Sequence, residues 1–520
     1  MTPHRALWNV DVWYTICEWA RLIHDSENEG RRTLARLARV CKALHEPAVC
    51  VLWRELDSIF PIFLVLPSFV LRRENAEPSP QSTHEEFYDE YHLPANVPAH
   101  EWSRLRRYAA YVRSVTFRWR TYCPLSLTWG RMELSRQSWS SIQILFGDDP
   151  VFPNLEKLHW QIAEVDFEYG SLTHFLSPSL RSLDLNCQVA SRFPVTQQYR
   201  DSWSAHLRQL MSEVSTRSPN ISSLTFFYGG SLTPAQFFDP LALTPPPSLR
   251  ALTIVGPTDK AITLSDLQIL STVPNLESLT FEQELEFDDS PAPGRPRRVT
   301  FPHLRHLQFA SRCMPNNCMY TMFASTNLQT LCISAYRFLD ASSLQHDCVV
   351  WALSFPSLIA FICRFTRTQP PGPDETLLYV SESISALFAP LLSMRNILTF
   401  SVNLADLCVP IDDRDLTTFS QSWPSLWSLS ITASEACVAN MPNFTIGLQG
   451  LLSLARNCPR LAVLHLETAR IDPETFSEPA SELTPTHRAL RNLQVRDGLA
   501  PEAHRFLVEN VFPSLSAFNS

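Results

Sequence analysis

One short phrase governs what this chain can fold into. It reads proline, polar residue, leucine, two residues, leucine, one residue, apolar residue, as in "PNLEKLHW" from Pro153. It recurs from Pro178, Pro219, Pro247, Pro274, Pro302, Thr326 and Pro356, then from Arg395, Pro424, Pro459, Arg488 and Pro513. Successive starts lie 24 residues apart at the closest (Pro302 to Thr326) and 41 at the widest (Pro178 to Pro219). An earlier segment, "YVRSVTF" from Tyr111, has the same rhythm and is expected to open the array. Self-similarity at such a period predicts stacked units, because no unit of this length can bury its apolar face alone.

The phrase itself reads as turn and strand. In "PNLEKLHW", Leu158 and Trp160 are two apart and share one face of a strand, while Leu155 enters from the turn. Proline ahead of the phrase stops whatever helix precedes it. Helix patterns fill the gaps. Apolar residues fall three and four apart in Ser381 to Met394, Gly447 to Cys458 and Glu502 to Phe512. Ser265 to Val273 opens on Ser265 as an N-cap. Strand, turn, helix and proline make one leucine-rich repeat. The variable lengths, with Asn after the last strand position in only two phrases (Asn186 and Asn403), suit the intracellular, helix-backed kind. The predicted fold class is α/β. A three-helix N-terminal head precedes a leucine-rich-repeat solenoid, a horseshoe with parallel strands inside and helices outside. The expected domains are residues 1–57, a helical junction at 58–110 with a mobile link over about 72–100, and the solenoid at 111–520. Each buried Leu or Phe contributes about 1.5–3 kcal/mol to the stack.

Composition narrows the function. Hydrophobic residues are 45% and charged residues 18%, enough for a large core. The net charge of −9 argues against a general nucleic-acid binder, which needs a basic surface. The N-terminus has no apolar run ending in a small-residue cleavage site, so no secretory leader is expected. The longest apolar stretch, Ile59 to Leu71, is too short for a bilayer and contains Pro61 and Pro67, so it is expected to be buried. The 13 cysteines are scattered with no Cys-x-x-Cys pair and are expected to be reduced. Cytoplasm or nucleus is the expected location, with no membrane association. No phosphate-loop, dinucleotide, nucleophile-elbow or His-Glu-x-x-His motif occurs, so neither catalysis nor a cofactor or metal is expected. Cys313 and Cys318 lack a second ligand pair at zinc spacing.

The head is predicted as helices over Leu7 to Ala20 and Thr33 to Leu44, with Pro47 breaking the chain before a third short helix. Leu34, Leu37, Ala38, Cys41 and Leu44 form one stripe. Some fifty residues is near the lower limit for an independent core, so the head is expected to lean on something. Asn9-Val10-Asp11-Val12, Ile16 and "LARLARVCKALHEPAVCVLWREL" resemble the F-box of fungal F-box proteins over residues 4 to 57. The junction and repeats are similar to that family as well. Val10 stands where the family has proline and Asp11 where it has glutamate, which predicts a less preset first turn.

The resemblance implies a substrate-recognition subunit of a Skp-cullin-F-box ubiquitin ligase, holding the Skp adaptor, and through it cullin, by the head. It implies that Val10, Val12, Ile16, Leu34, Leu37, Val40, Cys41 and Leu52 supply apolar contacts to the adaptor or the local core behind them. In the other reading these residues cap the first repeat, and the protein is a leucine-rich-repeat binding scaffold with a degenerate F-box and no ligase role. Trp53 is expected at the junction of head and repeats. A protein target would bind the strand positions between the buried ones. Its expected contacts are His159, Asp184, Thr225, Thr253, Thr280, Gln308, Arg364, Ser401, Ser430, His465 and Gln494. The acidic-then-basic stretch Glu282 to Arg298 and the segment Arg367 to Glu375 read as loops.

Overall fold

The structure is a computed structural model. It describes residues 9–515 apart from 24–25, 75–87, 95, 118–119, 123–128, 162–169, 188–196, 230–232, 258–260, 285–299, 311–324, 326, 339, 367–377, 406, 434–443, 472–486 and 497–500. Cys313, Cys318 and the segment 367–375 thus lie outside the described residues, as does most of 282–298. The chain divides into two compact units, Met1–Pro257 and Thr258–Ser520.

The first unit begins with three helices, α1 Val10–Leu22, α2 Glu27–Leu37 and α3 Lys42–Trp53. Helix α1 starts later than expected, and Asn9 supplies what the missing proline does not. Its side-chain oxygen accepts the Asp11 amide at 2.9 Å, and Asp11 places a negative charge in the first turn. Cys17, Leu34, Leu44, Ala48 and Val51 form a buried core, with Trp13, Tyr14, Leu37, Ala38 and Leu52 packed on it. Helix α2 comes so close to α1 that a Cβ on Gly30 would stand 2.6 Å from the Arg21 carbonyl oxygen. The expected single helix from Thr33 to Leu44 is corrected to two. The amides of Arg39 and Val40 bond back three residues to Arg36 and Leu37, tightening the last turn, and His45 Nδ1 lies 2.9 Å from the Ala38 carbonyl. Pro47 does not break the chain but sits buried within α3. Apolar spacing could not separate the cases, because both helices feed one core.

Strand β1, Glu55–Leu56, follows α3 directly and pairs in parallel with β2, Ser114–Phe117. The array therefore opens one rung before Tyr111, from a segment too short to show the phrase. Strands β3 Lys157–Gln161, β4 Ser182–Cys187, β5 Ser223–Tyr228 and β6 Ala251–Val255 continue the parallel ladder. Between β1 and β2 the apolar stretch is buried only in part: Ile59, Ile62 and Phe63 are fully enclosed, whereas Leu64 and Val70 are 58% and 53% exposed. Val70–Glu74, which runs into the expected mobile link, and Tyr88–His92, within it, pair as antiparallel strands. They belong to a small four-stranded sheet with Trp129–Leu134 and Arg120–Tyr122. Trp53 stands at the junction, its ring 5.0 Å from that of Tyr108 on the helix Ala99–Ala109.

Among the described residues the second unit carries an eight-stranded parallel ladder. Its strands are β7 Ser278–Glu284, β8 His306–Ala310, β9 Thr330–Arg337, β10 Ala360–Thr366, β11 Thr399–Asn403, β12 Ser428–Thr432, β13 Val463–Leu466 and β14 Asn492–Val495. The second apolar position of the phrases from Pro274 to Arg488 falls in one row, from Leu279 through Leu307, Leu331, Phe361, Phe400, Leu429 and Leu464 to Leu493. In the first unit the row is Val115, Leu158, Leu183, Leu224 and Leu252. Both units are leucine-rich-repeat ladders by this register, with helices packed on the buried side. Trp423 stacks on Phe419 at 5.1 Å and lies 4.8 Å from Phe400. Two helix expectations change. Thr263, not Ser265, caps Leu264–Leu270, in a reciprocal box with Asp266. Ser381 to Met394 splits into Ile384–Leu387 and a 3-10 turn Ala389–Ser393, since Pro390 has no amide to give.

The polar residue of the phrase has a structural use that the sequence did not reveal. The side chains of Asn154, Ser179, Asn220 and Asn327 donate to carbonyls of the preceding turn, at Ala110, Pro153, Pro178 and Pro302, over 2.8–3.0 Å. The residue just before the phrase does the same from inside. Buried Ser177, Ser218 and Ser325 donate to Leu155, Ser177 and Leu304. Ser218→Ala should therefore cost about 0.5–1.5 kcal/mol, the net worth of one hydrogen bond, because the Ser177 carbonyl keeps the Leu180 amide at 3.1 Å. The check is a lower urea midpoint with an unchanged slope.

Candidate functional site

Two surfaces carry the residues singled out by sequence. The first is the head. Val10, Val12, Ile16 and Val40 are 54%, 37%, 42% and 66% exposed, and Cys41 is exposed too. Leu34 is fully buried in the head's own core, and Leu37 and Leu52 pack against it. The eight residues thus divide into a surface group and its support. Sequence reasoning missed Trp19, Leu22 and Ile23, which are 67%, 71% and 71% exposed. The signal was present. Val12, Ile16, Trp19 and Ile23 are spaced four, three and four apart, a second stripe on α1 beside the core-facing Trp13, Tyr14 and Cys17. A helix apolar on two faces buries one in its own protein and leaves the other in water.

The head is clamped onto the first rungs of the ladder. Arg21 pairs with Glu55 at 2.7 Å, Arg31 with Asp57 at 2.7 Å and Arg54 with Glu18 at 2.5 Å. Glu46 of α3 receives both the Tyr111 hydroxyl and the Arg107 guanidinium. Burial, and then a hydrogen bond with Cys50, push Tyr14 up to about 12, so it stays a neutral phenol beside this contact. Such pairs fix the orientation more than they add stability, since most are partly exposed.

The second surface is the open face of the ladder. Along the strands buried and accessible residues alternate, as in Lys157 to Gln161. In the first unit the register aligns His159, Asp184, Thr225 and Thr253 in one row. His159 Nδ1 lies 3.8 Å from the Asp184 carboxylate, and its ring meets Phe227 edge-on at 6.2 Å. In the second unit Thr280, Gln308, Ser401, Ser430, His465 and Gln494 share another row, with Cys332 and Ile362 between Gln308 and Ser401. Arg364 lies one row over, level with Asn403. Ala310, Ser428 and Arg496, which the alternation would put on this face, are buried. At Ala310 the register with β7 shifts, so the alternation ends there.

The chemistry of this face is hydroxyl, amide and imidazole. Burial pushes the Cys332 thiol up, which suppresses the thiolate and with it nucleophilic reactivity. Among the described residues no group of three His, Cys, Asp or Glu side chains could hold a metal, and no helix is long and apolar enough to cross a membrane. Nine cysteines are described, all free.

No protein-family model matches the sequence, and no curated protein matches it. Among solved structures the chain is similar to an internalin from Listeria monocytogenes, at 13% identity and a TM-score of 0.36, over 79% of this chain and 87% of that one. It is similar to the leucine-rich repeat-containing protein LegL7 from Legionella pneumophila, at 12% identity and a TM-score of 0.34, over 61% and 93%. A chain of the Toll–Spatzle complex from Drosophila matches at 11% identity and a TM-score of 0.35, over 82% and 59%. At scores this low, the repeat assignment stands on the strand register described above.

Proposed function

We propose that the protein is a non-catalytic protein-binding module, the substrate-recognition subunit of a Skp-cullin-F-box ubiquitin ligase. The head would hold the Skp adaptor and, through it, cullin. The open strand face would hold a protein target, in the cytoplasm or nucleus. The mechanism is proximity: a target lysine is held near a ubiquitin-loaded enzyme, which raises its effective concentration without chemistry by this chain. The supporting observation is the exposure of Val10, Val12, Ile16 and Val40 over a head whose core is already complete. Residues that only capped the first repeat would be covered by it, and an exposed apolar group of this kind marks an interaction site. Val10 and Asp11, where the family carries proline and glutamate, favour a second reading: a leucine-rich-repeat scaffold whose degenerate F-box binds no adaptor.

Co-purification with a Skp adaptor separates the two. The wild-type chain should retain the adaptor, and Val10→Glu with Val40→Glu should weaken retention at least tenfold. Both side chains are exposed, so the melting temperature should not move. Leu37 is unsuitable for this test because it packs on the core. A wild-type chain that retains no adaptor refutes the ligase reading and leaves the scaffold.

A further inference from the structure

The edge of the second unit where the strands begin carries an uncommitted surface. The residue just before each strand bonds through its amide to its counterpart one rung earlier, and these contacts run unbroken from Arg305 to Arg491. Four consecutive positions in this row are apolar: Ile359, Leu398, Trp427 and Ala462. The Trp427 ring is 52% exposed. At one end the row opens into a pocket of about 240 Å³ lined by Glu277, His303, Arg305, Asn327, Gln329 and Ser357.

Charge on this edge opposes that of the whole chain. The first four positions of the phrases from Pro274 onward hold five arginines, Arg305, Arg395, Arg460, Arg488 and Arg491, against one acid, Glu277. The chain as a whole has 43 basic and 52 acidic residues. All five arginines are exposed, and among the described residues Arg305, Arg395, Arg460 and Arg488 have no ion-pair partner. Six strand spacings separate the Arg305 and Arg491 rungs, about 29 Å at the usual 4.8 Å, the reach of an extended segment of about nine residues.

We propose that this edge is a docking surface for an extended acidic segment of another protein, with a bulky apolar side chain seated against Trp427 and carboxylates paired with the flanking arginines. An aromatic ring among apolar neighbours with arginines around it is the composition of an interface anchor. Unpaired charge of one sign selects a partner of the other. The edge is separate from the open face, and the assignment does not depend on the head binding an adaptor.

The test uses the full chain and a fluorescein-labelled decapeptide with Asp and Glu at eight positions and Leu-Phe at its centre. The controls are the same peptide with Lys at the acidic positions and a ten-nucleotide single-stranded RNA. At 50 mM salt the acidic peptide should bind with a Kd at least tenfold below that of the lysine peptide, and its affinity should fall as salt rises. Trp427→Ala, and separately Arg395→Glu with Arg460→Glu, should each weaken it tenfold or more with no change in melting temperature. Adaptor retention should be untouched by these variants, which keeps the outcome apart from that of the ligase reading. Equal binding of the two peptides, indifference to the substitutions, or tighter binding of the RNA at the same residues would overturn the proposal.

Discussion

Replacing Trp423 with alanine is expected to cost the second unit about 3–5 kcal/mol, the range for deleting a large buried aromatic. The ring is fully buried, stacks on Phe419 with an interplanar angle of 6°, and touches Phe400. Its indole N–H also donates to the Leu391 carbonyl at 3.3 Å, one repeat earlier. Alanine therefore opens a cavity between rungs and removes one of two hydrogen bonds to the Leu391 carbonyl, which keeps the Met394 amide at 3.0 Å. Repeats contact mainly their neighbours, so the loss should be local at first. Hydrogen exchange should rise in β11, β12 and the helix Asp413–Ser422, with the first unit unchanged. Uniform loosening of both units, or a loss under 1 kcal/mol, would show that this stack is not what couples these rungs.

Gly30→Val should disable the head. The added Cβ would meet the Arg21 carbonyl oxygen at 2.6 Å and the Arg21 Cα at 3.3 Å. The obstacle is backbone, so no rotamer change relieves it, and α1 must move away from α2. Overpacking of this kind costs about 1–3 kcal/mol. The larger consequence is geometric. Arg21 also reaches Glu55 on the first rung, so displacing its backbone disturbs the tie between head and ladder. Exchange in α1 and α2 should rise at least tenfold, and adaptor retention should fall with it, although Gly30 itself is buried. Unchanged protection in both helices would show that the close approach is dispensable.

The ladder was readable because its signal is local and repeated. Leu158 and Trp160 are two residues apart, and the same spacing in each phrase fixes which side chains face the core. Helix ends were less readable. A cap depends on one hydrogen bond, and Thr263 and Ser265 are both plausible acceptors until the backbone is placed. The break between α2 and α3 was hidden for another reason: Leu34 and Leu44 meet in one core whether they lie on one helix or two. The first rung, Glu55–Leu56, is only two residues long and repeats nothing.

The candidate surfaces divide in the same way. That α1 carries a second apolar stripe is written in the spacing of Val12, Ile16, Trp19 and Ile23. That this stripe is exposed while Leu34 is enclosed could come only from knowing what packs against each. Sequence alone determined the repeat, the parallel strands and the alternation of covered and open positions, since these follow from backbone periodicity. Tertiary structure decided where the ladder begins, which apolar side chains remain in water and which of the phrase arginines stay without an ion-pair partner among the described residues. Those properties depend on neighbours that the fold brings together from distant parts of the chain.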